Sequence, residues 1–247
     1  MSRKRVMTNC HASLRRLRTG YIDLYQAHRF DEDTPLEETI AAFSDLVHAG
    51  DVRWVGVSEW TSAQLREGQR LALQAGIRLV SNQPQYSALW RVPEDEVMPT
   101  SAELGISQIT YSPLAQGVLT VKYPPGLISP GGSRAAQKYT SGSIRRYLSE
   151  ELRLRVEGLR PIAEAAGLSL AQLALAWVLY NRHVTSAIIG ASRPEQICEN
   201  VKAAEARLGE DIMHSIDDVL GDIIERDPAK AGRPYDVMER WRASETA

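Results

Sequence analysis

Cysteine and net charge are both scarce in this 247-residue sequence. Only Cys10 and Cys198 occur, in helix-like contexts without metal-ligand spacing. This disfavours a disulfide framework or a zinc site and favours a reducing, cytoplasmic setting. The formal net charge of −2 provides no global attraction to nucleic acid or anionic membranes. No apolar run approaches the roughly 20 residues that cross a bilayer, and none follows the basic residues at 3–5 as a secretory signal would.

What the sequence does contain is an alternation of short strand-like runs and amphipathic stretches. The first three runs begin about 25 to 32 residues apart, the length of one strand, one helix and two loops. This rhythm predicts consecutive βα units and a parallel sheet. The predicted strands are Tyr21 to Ala27, Val52 to Val57, Arg78 to Ser81, Ile106 to Tyr111 and Val184 to Gly190.

Helix starts are indicated by a repeated capping signature. In the pattern S/T-x-x-E/Q, the hydroxyl accepts from the third backbone N–H, and the acidic or amide side chain bonds back to the cap. Helical periodicity follows the repeats, as at Ile40, Phe43 and Leu46. The pattern therefore predicts capping boxes at Thr34–Glu37, Thr61–Gln64, Ser169–Gln172 and Ser192–Glu195.

The segment 115–146 breaks the alternation. It contains YPPGLISPGGS and little periodicity, so we expect a long loop, and we expect a polar surface tail over about 228–247. We predict one domain over 1–247. Parallel strands with this spacing form either an open doubly wound sheet or an eight-stranded barrel, and no Gly-rich phosphate loop follows the first strand, which disfavours a Rossmann fold.

Five ordered segments carry a family resemblance: SLRRLRTGYIDLYQAHRFD, GDVRWVGVSEW, SNQPQYS, ITYSPLAQGVLTVKY and SAIIGASRPEQICENVKA. Together they resemble the aldo-keto reductases, particularly the branch related to potassium-channel β subunits. The resemblance implies an α/β fold, a (β/α)₈ TIM barrel of which about the first three βα units are not in this sequence. It also implies NADP(H) bound at the C-terminal mouth of the barrel and reduction of a small-molecule carbonyl substrate.

The family uses a catalytic tetrad of Asp, Tyr, Lys and His. His28, at the end of LYQAH, matches the histidine. The other three members normally lie upstream of this point, so we expect them outside this sequence. Because the tyrosine delivers the proton to the developing alkoxide, we expect no turnover by these residues alone.

The resemblance also implies cofactor-binding residues. Most match the family at the nicotinamide, the pyrophosphate or the adenosine. Glu59 departs from the family's Asn or Arg, while Gly190 and Gln196 replace a Lys and an Arg that grip the 2′-phosphate, leaving Arg193 as the nearest basic substitute. The expected set is Ser58, Gln83, Tyr111, Ser112, Leu114, Gln116, Gly117, Gly190, Ser192, Arg193, Gln196, Glu199 and Asn200.

Aromatic residues just after strand ends are candidates for a substrate pocket: Trp60, Tyr86 and Trp90. Each could equally pack a loop. Trp54 and Trp177 are expected in the core. The remaining histidines show no metal-ligand spacing, so no metal site is predicted.

Two functional hypotheses follow. The first is an NADP(H)-dependent reductase of aldehydes or ketones. The second is a non-catalytic NADP(H)-binding regulatory module or an inactive fragment. We expect no membrane or nucleic-acid partner, whereas an oligomer is compatible with the sequence.

Overall fold

The computed structural model describes residues 1–120, 122–126, 131, 134–136 and 144–232. These residues form two compact units. Unit 1 contains residues 1–84, 93–109 and 228–232, and unit 2 contains the described residues of 85–92 and 110–227. The prediction of one domain over the whole chain stays a prediction.

Strands and helices alternate along the described residues. The strands are β1 (Ile22–Ala27), β2 (Val52–Val57), β3 (Leu79–Asn82), β4 (Ser107–Tyr111) and β5 (Val184–Ile188). The helices are α1 (Arg3–Leu17), α2 (Leu36–His48), α3 (Ser62–Gln74), α4 (Val97–Glu103), α5 (Glu150–Glu157), α6 (Arg160–Ala165), α7 (Leu170–Tyr180), α8 (Pro194–Val201) and α9 (Glu210–Leu220). Short 3₁₀ segments cover Ala115–Thr120, Arg134–Ala136, Arg145–Tyr147, Lys202–Ala204, Gly221–Ile223 and Pro228–Lys230.

The predicted parallel sheet is confirmed. In unit 1, β1 pairs with β2 from Ile22↔Val52 to Ala27↔Val57, and β2 pairs with β3 at Val57↔Asn82. β3 pairs with β4, also parallel. All five predicted strands are present, with ends that differ from the prediction by at most two residues. Because parallel neighbours end at the same edge, the residues after β1, β2 and β3 are brought close together.

Helix α2 shows how the sequence pattern builds the core of unit 1. Ile40, Phe43 and Leu46 recur at helical spacing and are all buried. The ring of Phe43 contacts Tyr25 of β1 edge-on, with centroids 6.1 Å apart. This packing fixes the helix against the sheet.

Two of the four predicted capping boxes form. Thr61 and Ser169 accept from the backbone of Gln64 and Gln172, which bond back to the caps. The prediction at Thr34 was wrong, because its hydroxyl donates to Asp31 and α2 begins after Pro35 without a side-chain cap.

The prediction at Ser192–Glu195 was also wrong. Gln196, one residue further along, accepts at its side-chain oxygen from the backbone nitrogens of Ser192 and Arg193. The helix therefore begins one residue later than the pattern indicated.

Trp54 corrects another expectation. Trp177 is buried, whereas Trp54 keeps 53% of its surface exposed. Successive side chains of a strand point to opposite faces of the sheet. Because Val55 is buried on one face, Trp54 lies on the other.

The predicted loop and tail are only partly described. Within 115–146, the structure describes residues 115–120, 122–126, 131, 134–136 and 144–146, which contain 3₁₀ turns at Ala115–Thr120 and Arg134–Ala136 and the start of the turn Arg145–Tyr147. The other residues of this segment lie outside the described part of the chain. The same holds for 233–247 of the tail. Among the described helices, none alone has the length and apolarity to span a bilayer; only Glu150–Ala165 and Leu170–Tyr180, bent by 85°, pass that test as a pair.

Candidate active site

Three predicted site residues follow adjacent strands of unit 1. His28, Ser58 and Gln83 come directly after β1, β2 and β3. The backbone nitrogen of Gln83 donates to the carbonyl oxygen of Val57 over 2.9 Å, which continues the β2–β3 pairing beyond the strand ends. The carboxyl ends of parallel strands are where α/β enzymes carry their sites.

Ser58 is the centre of a hydrogen-bonded link. Its hydroxyl donates to the backbone oxygen of Gln83 over 2.8 Å, and its oxygen accepts from Nη1 of Arg29 at 3.2 Å. The same Nη1 donates to the carbonyl oxygen of His28 over 2.7 Å. Ser58 is buried, and Arg29 and Gln83 are half-buried, whereas the bond from Arg29 to the His28 carbonyl is exposed.

Arg29 was missed by the sequence reasoning. Its only sequence signal is its place directly after His28, and its bond to Ser58 joins residues 29 positions apart. The contact depends on the β1–β2 register, which no local pattern specifies.

His28 has an exposed side chain at this edge. Desolvation by partial burial of the imidazole and, to a smaller extent, the positive charge of Arg29 lower the pKa of His28 below its ordinary value of 6.5. The neutral imidazole therefore predominates at pH 7. A neutral imidazole can donate one hydrogen bond and accept another.

Trp60 lies in the core of unit 1. It keeps 1% of its surface exposed and packs edge-on against Phe30 with ring centroids 5.1 Å apart. Gly68 of α3 leaves room for its ring. Glu59, just before Trp60, has a positive φ of 57° and is buried.

In unit 2, the predicted residues around Tyr111 form a tightly turned segment. Tyr111 ends β4 and is half-buried. After it, Ser112 and Gln116 adopt positive φ values of 56° and 63°, and Nε2 of Gln116 donates to the Ser112 hydroxyl over 2.8 Å. Gly117, with φ of 95°, donates its backbone N–H to Leu114.

Backbone strain is concentrated after the strands. Five described non-glycine residues have positive φ, and all but one follow β2 or β4; the exception, Arg18, ends a helix. Such conformations cost on the order of 1–3 kcal/mol each and cluster at functional sites. The set is Arg18, Glu59, Ser112, Ala115 and Gln116.

The predicted adenosine-binding residues lie at and before α8 in unit 2. Gly190, Ser192 and Arg193 are exposed, and a Cβ at Gly190 would meet nothing within 4 Å. Further along, Glu199 pairs with Lys202 over 2.8 Å and Asn200 is buried.

The other two candidate substrate aromatics pack within unit 2. Tyr86 lies against Trp177 with ring centroids 5.1 Å apart, and its hydroxyl accepts from Asn181 over 3.1 Å. Trp90 is 4% exposed, and the guanidinium of Arg146 lies 4.2 Å from its ring centre. Both rings therefore hold their loops in place.

A parallel sheet with candidate site residues at the carboxyl ends of its strands is typical of α/β enzyme domains. Comparison with known proteins identifies the family. The family model described as "Aldo/keto reductase family" matches residues 1–220. The chain belongs to the aldo/keto reductase family, an oxidoreductase family whose (β/α)₈-type fold fits the observed sheet.

Individual relatives agree with this assignment. The chain is 38% identical over 226 residues to a putative voltage-gated potassium channel subunit beta of Schizosaccharomyces pombe, covering 89% of this chain and 65% of the relative. It is 40% identical over 210 residues to a probable voltage-gated potassium channel subunit beta of Arabidopsis thaliana, covering 83% and 63%. It is 36% identical over 203 residues to L-glyceraldehyde 3-phosphate reductase of Escherichia coli K12, covering 82% and 59%. The chain thus spans less than two thirds of the length of each of these relatives.

Proposed function

We propose that the protein contributes to an NADP(H)-dependent site that reduces aldehydes or ketones to alcohols. The observation that carries the proposal is the placement of His28, Ser58 and Gln83 after three adjacent parallel strands, linked through the Ser58 hydroxyl. NADP(H), when bound, supplies a hydride to the carbonyl carbon. The residues of the protein bind and orient the cofactor and the substrate.

At the nicotinamide end, Gln83 offers an amide that can both donate and accept toward the carboxamide. The Ser58 hydroxyl donates to the Gln83 backbone oxygen. We propose that the Ser58 oxygen also accepts a hydrogen bond from the carboxamide. Tyr111 is half-buried and provides an aromatic surface for stacking. His28, neutral at pH 7, can donate a hydrogen bond to the carbonyl oxygen of the substrate.

At the phosphate end, the positive-φ segment suits close approach of a ligand to the backbone. Gly117 has no side chain to obstruct that approach, and its conformation favours glycine. The exposed Arg193 provides positive charge near α8 for a 2′-phosphate. The residues Ser112, Leu114, Gln116, Gly190, Ser192, Gln196, Glu199 and Asn200 complete the proposed cofactor set.

The buried aromatics Trp60, Tyr86 and Trp90 are proposed to shape the substrate pocket by anchoring the loops that carry it.

The two free cysteines, one buried and one exposed, suit the cytoplasmic setting that we propose.

The proposal is tested by titrating the full chain with NADPH and following nucleotide fluorescence. We expect saturable binding that weakens in Gln83→Ala, because that variant removes the amide. Gln74→Ala, at the exposed end of α3, is the control. If NADPH does not bind, the proposed function is wrong.

Turnover separates catalysis from binding. His28 is the one tetrad position that we propose among these residues, and we propose no proton donor beside it, so we expect no NADPH-dependent reduction of 4-nitrobenzaldehyde above background. Turnover by the purified chain would mean that another group delivers the proton. Binding without turnover would instead fit the second hypothesis, a non-catalytic NADP(H)-binding module.

A further inference from the structure

Arg29 is a half-buried cation without a described counterion. Its Nη1 donates to two neutral oxygens, the His28 carbonyl at 2.7 Å and the Ser58 hydroxyl at 3.2 Å. Within the described residues, no ion pair joins its guanidinium to a carboxylate. Burying part of a charged group without a counterion is costly unless a ligand or solvent compensates for it.

The nearest acidic residue in sequence is engaged elsewhere. Asp31 accepts from the Thr34 hydroxyl over 2.8 Å and from the backbone nitrogen of Asp33 over 3.2 Å. It also forms an ion pair with the amino group of Met1. The positive charge of Arg29 is therefore left to act on whatever enters this edge of the sheet.

The position of Arg29 is fixed from both sides. Ser58 and the His28 carbonyl hold its guanidinium, while the next residue, Phe30, packs edge-on against the buried Trp60. Preorganisation of this kind reduces the entropy lost when a ligand binds.

Ser58 cannot take over the donor role toward a ligand oxygen. A guanidinium only donates hydrogen bonds and a backbone carbonyl only accepts them, so Ser58 must accept from Arg29 and give its proton to Gln83. Donation to an oxygen ligand beside Ser58 therefore falls to Arg29 and His28.

We propose that Arg29 forms an oxyanion subsite beside His28, which binds a carboxylate or phosphate group carried by the carbonyl substrate. The planar guanidinium suits both oxyanions, since its N–H groups are spaced to match two oxygens. Naming the ligand as a substrate rests on the proposed function, whereas the subsite itself rests on the surroundings of Arg29.

Matched pairs of aldehydes test the subsite in the NADPH-saturated full chain by calorimetric titration. Succinic semialdehyde is compared with butanal, and glycolaldehyde phosphate with glycolaldehyde. We expect at least one anionic member to bind about 10- to 100-fold more tightly than its neutral partner, the range that a charge-assisted hydrogen bond supports. Whichever pair shows the larger ratio identifies carboxylate or phosphate as the preferred group.

Variants locate the effect. Arg29→Gln should abolish the preference for the anion, and Arg29→Lys should retain part of it because the charge remains. Arg78→Gln is the matched control: Arg78 is exposed in unit 1, just before β3 at the opposite end of the strand, and has no ion pair among the described residues. Equal affinities within both pairs, or a preference that survives in Arg29→Gln, would overturn the proposal.

A second measurement needs no nucleotide. Inorganic phosphate and succinate are titrated at constant pH and ionic strength while the imidazole Cε1–H signal of His28 is followed by NMR, assigned with His28→Asn. We expect a saturable shift in the wild type that is lost in Arg29→Gln. A shift without NADPH binding would leave the subsite standing while the proposed function fails. If NADPH binds but anions cause no shift and neither aldehyde pair shows a preference, the subsite proposal is wrong while the proposed function stands.

Discussion

The hydroxyl of Ser58 donates a 2.8 Å hydrogen bond to the backbone oxygen of Gln83, tying the end of β2 to the end of β3. Arg29 donates to the same hydroxyl from the end of β1. One small side chain thus connects three consecutive strand ends. The connection has consequences for both stability and binding.

Ser58→Ala removes this connection. We expect the free energy of unfolding to fall by about 1–2 kcal/mol, because a half-buried carbonyl oxygen loses its donor and a guanidinium N–H loses one of its two acceptors. NADPH binding should weaken in the same variant. Urea denaturation and fluorescence titration measure the two effects. Ser62→Ala, which removes only an exposed bond to Glu96, is the control and should change the free energy of unfolding by less than about 0.5 kcal/mol. Equal losses in both variants would contradict a stabilising role for the Ser58 hydroxyl.

The lowered pKa of His28 predicts the sign of a pH effect. In the window between the folded-state pKa and the unfolded value of 6.5, the unfolded chain binds a proton that the folded chain does not. The contribution of His28 to the free energy of unfolding therefore becomes less favourable as the pH falls through 6.5. Denaturation at pH 7.5 and pH 5.5 should show a smaller loss of stability in His28→Asn than in the wild type.

The same shift predicts the effect of the neighbouring charge. Arg29→Gln removes one of the two causes of the lowered pKa, so the pKa of His28 should rise in this variant. NMR titration of the imidazole measures it. An unchanged or lower pKa would mean that Arg29 does not act on His28.

Gly68 is required by the packing of Trp60. A Cβ at position 68 would lie 2.5 Å from the ring atom Cζ3 of Trp60 and 3.2 Å from Cδ1 of Leu79. We expect Gly68→Ala to reduce the free energy of unfolding by about 1–3 kcal/mol through overpacking. Gly20→Ala, whose Cβ would meet nothing within 4 Å, is the control. If Gly68→Ala is as stable as the wild type, the packing around Trp60 is looser than described.

Gln196 should influence the choice between NADPH and NADH. Its side-chain oxygen accepts from the backbone nitrogens of Ser192 and Arg193, so an acceptor stands at the start of α8 where a 2′-phosphate would need donors. Gln196→Arg should tighten NADPH binding by up to about 10-fold, the value of one charge-assisted hydrogen bond, and leave NADH unchanged. Gln74→Arg, on α3, controls for added charge. Equal tightening of both nucleotides would argue against phosphate recognition here.

Much of the secondary structure could be predicted from the sequence because its causes are local. Residues three or four apart define a helix face, as at Ile40 and Phe43, and a hydroxyl three residues before an amide defines a cap, as at Thr61 and Ser169. Where a competing partner intervened, the local rule failed. The Thr34 hydroxyl bonds to Asp31, and Gln196 takes the backbone donors before α8.

The candidate site was predictable only in part. His28, Ser58 and Gln83 stand in recognisable segments, and the parallel register brings them to one edge. Arg29 stands in such a segment too, yet nothing local distinguishes it from an ordinary surface arginine. Its importance arises from Ser58, 29 residues away, and from the absence of a described counterion.

By itself, the sequence determined the alternation of strands and helices, the family and the strand positions to within two residues, because these depend on neighbours along the chain. The tertiary structure alone decided how those residues interact. It buried Trp60, Tyr86 and Trp90, left Trp54 exposed, and directed the Ser58 proton to Gln83. Such outcomes depend on contacts between distant segments, where burial and the one-way donor or acceptor character of each partner select a single arrangement.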